Sequence, residues 1–79
     1  MSPDKLVHMA NQIGKFFATS NPDGAASAIG NHIAKFWEPR MRKQMYAHLA
    51  QGGAGLDPLP KQGLEELRRK DPIEQASAN

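Results

Sequence analysis

The residues best suited to metal or proton chemistry here are three histidines, His8, His32 and His48. A metal site needs three or four converging ligands. Each histidine falls in a different helical segment, with no His-x3-His pair and no acidic cluster beside it. They read as surface or half-buried side chains. Ser2, Ser20, Ser27 and Ser77 fall at a cap, in a turn, on a short helix and near the C-terminus, and none sits in a nucleophile-elbow pattern. The glycine-rich string GGAG at 52–55 follows a helix rather than a strand and lacks the GK[ST] ending of a phosphate loop. It reads as a helix C-cap and turn. Cysteine is absent, which excludes disulfides, thiolate metal ligands and iron–sulfur clusters held by this chain. No active site is legible.

One charged motif remains, EPRMRKQ at 38–44. Arg40, Arg42 and Lys43 fall in the first turns of a helix, where the macrodipole already supplies positive charge. That placement costs a few tenths of a kcal/mol, so about 0.3 kcal/mol or more per residue invites compensation. The candidates are a carboxylate on a partner, Glu38 or Asp57 in the same chain, a nucleic-acid phosphate, or water alone.

The elements that carry these residues are all helical. Ser2-Pro3-Asp4 combines a hydroxyl N-cap, a proline at the first helical position and a carboxylate at the positive end of the dipole. Leu6, Met9, Ala10, Ile13, Phe16 and Phe17 then recur at helical spacing until the turn formers TSNPDG. Asn21-Pro22-Asp23 can cap a second helix bearing Ala25, Ala26, Ile29, Ile33, Phe36 and Trp37, and Pro39 ends it near Trp37. A third helix starts at Pro39, carries Met41, Met45, Tyr46 and Leu49, and closes at QGGAG. Asp57-Pro58 starts a short fourth helix with Leu59, Leu64 and Leu67, which Pro60 and Gly63 make irregular. Beyond Lys70 the stretch DPIEQASAN has little to bury and should fray. No segment alternates with the period of a strand. The expectation is an all-α domain over residues 1–70, a helical hairpin plus a third and a short fourth helix, with a flexible tail over 71–79.

The first two helices repeat a surface. MANQIGKFF at 9–17 and IGNHIAKFW at 29–37 align without gaps, sharing Asn11/Asn31, Ile13/Ile33, Lys15/Lys35 and Phe16/Phe36. The simple reading is a hairpin whose matched Ile and Phe positions interlock. Two thin helices cannot enclose Phe17, Trp37, Tyr46 and the methionines as well. Aromatic and Met side chains are enriched at interface cores, so some of these either fill the core or dock on a partner.

Size points the same way. A chain of 79 residues buries only about 60–65% of the surface its unfolded form exposes, and with no cysteine the usual remedy is another protein chain. The net charge of +2 promises no dense positive stripe, so nucleic acid is a secondary prospect. There is no apolar run of membrane-spanning length, and MSPDKLVHMANQ does not read as a signal peptide. A soluble, cytoplasmic protein is expected.

The opening SPDKLVHMANQIGKFF and the string NHIAKFWEPRMRKQMYAHLAQGGAGLDPL at 31–59 together resemble the delta subunit family of soluble, NAD-dependent, molybdenum-containing formate dehydrogenases. The likeness is carried by MANQI, by I-x-K-F-W-[DE]-P-R-M-R, by HL and by GGAGL-[DE]-P-L, and extends from about Ser2 to Leu67. It implies a small accessory subunit without a cofactor of its own. In that family the large alpha subunit holds bis-molybdopterin guanine dinucleotide and iron–sulfur clusters and oxidises formate to carbon dioxide. A beta subunit binds FMN and NAD, with a gamma subunit beside it. The resemblance supplies no catalytic residues.

The expected function is thus a non-catalytic subunit that docks on the complex and stabilises it or helps it mature. The residues expected to meet a partner are Phe17, Phe36, Trp37, Pro39, Arg40, Met41, Arg42, Lys43 and Tyr46. Two other readings stand beside it: a helical nucleic-acid-binding protein using Arg40, Arg42, Lys43, Arg68, Arg69 and Lys70, and a chaperone that visits the catalytic chain during cofactor insertion.

Overall fold

In the computed structural model, which describes residues 2–73, α1 spans Pro3–Ser20 and starts as its sequence dictates. The Lys5 amide donates to the Ser2 hydroxyl at 3.4 Å, and Asp4 sits in the first turn. Leu6, Ala10 and Gly14 form its buried spine. Asn21-Pro22-Asp23 does not cap the next helix directly: Pro22–Gly24 make a separate 3-10 turn, and α2 runs Ala25–Phe36 behind it. The helix stops where expected, because Trp37 and Glu38 turn extended ahead of Pro39.

Helix α3 spans Pro39–Ala50. Past the Gln51 cap, the Gly52 amide reaches back to the Leu49 carbonyl and the Gly53 amide to the His48 carbonyl, each at 3.0 Å, with Gly52 at φ +112° and Gly53 at φ +65°, positive angles that glycine adopts freely. The loop to α4 is fastened twice. Asn11 of α1 donates to the Gly55 carbonyl at 3.0 Å and accepts the Asp57 amide at 2.9 Å, and the His48 ring meets the Ala54 carbonyl at 2.7 Å.

Helix α4 runs Pro58–Lys70, and both of its suspect residues have reasons. Pro60 is third in the helix, where an amide would have no partner within the helix to lose. Gly63 marks a close approach of α4 to α2. A Cβ there would lie 2.6 Å from the Ala26 carbonyl oxygen and 3.2 Å from Ile29 Cβ, while one on Gly30 would lie 3.0 Å from the Gly63 carbonyl oxygen. The deepest pairing therefore joins α2 to α4, with α1 and α3 packed around them.

The core is Leu6 and Ala10 of α1, Ile29 and Ile33 of α2, Trp37, then Met45, Tyr46 and Leu49 of α3 and Leu64 and Leu67 of α4. Among the described residues there is no strand and no helix long and apolar enough to cross a membrane.

Asp71, assigned by sequence to the head of a loose tail, is 4% exposed. It accepts from Arg42 Nε at 3.0 Å, from the Tyr46 hydroxyl at 2.6 Å and from the Ile73 amide at 3.0 Å. Residues 74–79 of the expected tail lie outside the described residues.

Candidate docking surface

Sequence reasoning expected the surplus aromatics to be divided between core and surface. The division in the fold differs from the expected docking set. Trp37 is 5% exposed and Tyr46 1%, so both rings lie in the core rather than on the surface. Two helices cannot enclose these rings; they lie in one core cluster that draws on all four helices, Leu64 and Leu67 of α4 included.

Arg42 is likewise occupied. Its Nε holds Asp71, and its Nη1 donates to the Trp37 carbonyl at 3.0 Å and the Ala34 carbonyl at 3.3 Å. The compensating carboxylate for the basic turn is Asp71, neither Glu38 nor Asp57. Burial alone would push the Asp71 carboxyl upward, but the Tyr46 hydroxyl, the Ile73 amide and the Arg42 guanidinium outweigh it and hold it below the ordinary value. Met41 is half-buried against the core, while Pro39, Arg40 and Lys43 are exposed at the start of α3.

Phe36 is 70% exposed and Phe16 65% exposed, unusual for phenylalanine. The rings do not stand singly. Phe16 meets the half-buried Phe17 edge-on with centroids 5.1 Å apart, Phe17 meets the His32 ring at 5.9 Å, and His32 meets Phe36 at 4.7 Å. Phe17, His32 and Phe36 wall a shallow depression that also takes in Ala28, Ala34 and Lys35 of α2. The repeated motif thus uses its fourth shared position for display: Ile33 goes to the core, whereas Phe16 and Phe36 both face out.

The expected interlocking of the matched Phe positions is overturned by the exposure of Phe16 and Phe36, and the expected docking set left out both Phe16 and His32. Phe16 lies two residues beyond Gly14 in the buried spine, roughly 200° around the helix, and that offset was the available signal. His32 offered none, because its role depends on rings from two helices. The three histidines stay apart, and among the described residues no group of three or more His, Cys, Asp or Glu could hold a metal ion. Of the basic residues, Arg42 is consumed by Asp71, Arg68 is half-buried, and Arg40, Lys43, Arg69 and Lys70 are exposed.

Neither a curated protein nor a solved structure matches the chain. A family model does: the one described as NADH-dependent formate dehydrogenase delta subunit FdsD matches residues 5–64. That span takes in α1 from its third residue, α2, α3 and the first half of α4, including every ring of the exposed cluster. With about three quarters of its length matched, this chain belongs to the delta subunit family of NADH-dependent formate dehydrogenases.

Proposed function

We propose that this chain is a resident, non-catalytic accessory subunit that stabilises its formate dehydrogenase assembly by surface contact. The observation that carries the reading is the outward placement of Phe16 and Phe36 in one aromatic cluster with Phe17 and His32. Apolar groups held in water at two helix surfaces are what an interface buries. Among the described residues no buried side-chain nitrogen or oxygen lacks a partner, so the chain's polar interior is already complete. What is left to satisfy lies outside.

The docking set is Phe16, Phe17 and Phe36, with Pro39, Arg40, Met41 and Lys43 following Phe36 along the chain into α3. Trp37, Arg42 and Tyr46 contribute from inside by fixing that corner. The partner is the large catalytic chain, expected to carry bis-molybdopterin guanine dinucleotide and iron–sulfur clusters, within an assembly that also holds the FMN-binding beta and the gamma subunits.

The test is co-purification with a tagged catalytic chain, wild type against a Phe36→Ala, Arg40→Ala pair. Truncating a buried interface anchor costs about 2 kcal/mol or more, roughly a thirtyfold loss of affinity. Wild-type retention by the pair refutes this surface. A native mass showing one copy per catalytic chain distinguishes a resident subunit from a visiting chaperone.

A further inference from the structure

The exposed rings are one flank of a longer face. Asn31 and Ala34 of α2 line the aromatic depression and also a second one, walled by Leu67 and Lys70 of α4 and by Pro72. The two depressions share that floor, so a single surface crosses α2 from Phe36 to Lys70. Its charge is one-sided. Lys35 stands in the first depression and Lys70 beside the second, and among the described residues neither makes an ion pair. The carboxylate lining the surface, Asp71, is buried and already neutralised by Arg42.

We infer that this face takes an apolar segment of the larger subunit edged by carboxylates, its apolar side chains against Phe17, His32 and Phe36 and its acids against Lys35 and Lys70. The inference rests on the docking reading above and adds the chemistry of the partner. A second copy of this chain does not fit. A two-fold contact would set one cationic face on another, and among the described residues no carboxylate but the paired Asp71 lines that face to answer it.

Binding is measured between the full-length chain and the assembly purified from cells lacking it, at about 50 mM and about 200 mM salt. The Lys35→Glu, Lys70→Glu pair should bind about tenfold more weakly or worse at the lower salt, and the gap to wild type should narrow at the higher salt. Lys35→Gln, Lys70→Gln should fall between them, and it serves as the reading if the reversed pair loses its helical circular dichroism. Phe16→Ala, Phe36→Ala should bind more weakly at both salts. If the phenylalanine pair weakens binding while both lysine pairs stay within about twofold of wild type, the acidic edge is overturned and docking through the rings stands. If the phenylalanine pair also binds as wild type, both fall. Sedimentation that shows the free chain dimerising, with the lysine reversal abolishing the dimer, overturns the choice of occupant.

Discussion

Replacing Gly63 with alanine sets two effects against each other. On an exposed helix surface the change would stabilise by about 1 kcal/mol, because alanine is the better helix former. Here the new Cβ would lie 2.6 Å from the Ala26 carbonyl oxygen and 3.2 Å from Ile29 Cβ. Carbon and oxygen approach comfortably to about 3.3 Å, so α4 must withdraw by roughly 0.7 Å. The obstructing group is backbone of α2 and cannot rotate aside. A gap of about 0.5–1 Å forfeits a quarter to a half of each dispersion contact, and the contacts at risk are those of Leu64 and Leu67 with the α2 core. Overpacking of this kind costs about 1–3 kcal/mol. Because the obstruction is rigid backbone, the cost falls in the upper half of that range, about 2–3 kcal/mol. Less the helix-propensity gain, Gly63→Ala is left about 1–2 kcal/mol less stable, a fall in Tm of roughly 4–16 °C for a chain this small. Thermal and urea unfolding followed by circular dichroism read it directly. Gly30→Ala, whose Cβ would stand 3.0 Å from the Gly63 carbonyl oxygen, should lose less. A Gly63→Ala chain as stable as wild type, or more so, would refute the close crossing of α2 and α4.

Asp71→Asn should cost about 2 kcal/mol, because it leaves the largely buried Arg42 without its counter-charge. The Asp71 carboxyl is held below its ordinary value of 3.8, so its stabilisation is complete above that pH and drains away as pH falls through the lowered value. The stability gap between wild type and Asp71→Asn, measured by urea unfolding, should therefore hold at neutral pH and shrink only under strongly acid conditions. Trp37→Ala should destabilise the isolated chain by about 3–5 kcal/mol, while Phe36→Ala should change it by no more than about 0.5 kcal/mol; thermal melts separate core from surface. Asn11→Ala should cost about 1–2 kcal/mol and speed hydrogen exchange at the Asp57 amide, which loses its acceptor.

The echo between α1 and α2 acquires a physical meaning in the fold. Asn11, its first shared polar position, ties down the loop before α4, whereas Asn31 stays exposed beside the aromatic cluster. Phe17 and Trp37, in matching positions, part company too: Trp37 follows the end of α2 and swings into the core, while Phe17 remains on α1, half-buried beneath Phe16 and His32. Similar local sequence made similar helices. Their neighbours decided what each surface does.

The helices themselves were legible because their causes are local. A hydroxyl cap at Ser2, prolines at Pro3, Pro39 and Pro58 and the glycines after Ala50 act on the backbone within one turn. Apolar spacing likewise marked Ile29, Ile33, Met45 and Leu64 for the interior. The absence of cysteine, and with it of any cluster or disulfide, was also settled by composition. What sequence could not decide was which of two apolar faces a third element would cover. Gly63 looked like a helix breaker until α2 lay against it, Asp71 looked like loose chain until Arg42 and Tyr46 closed on it, and Trp37 and Tyr46 looked displayable until a core drawn from all four helices took them in. Each outcome depends on groups far apart in sequence, whose meeting is fixed only when the whole core is packed.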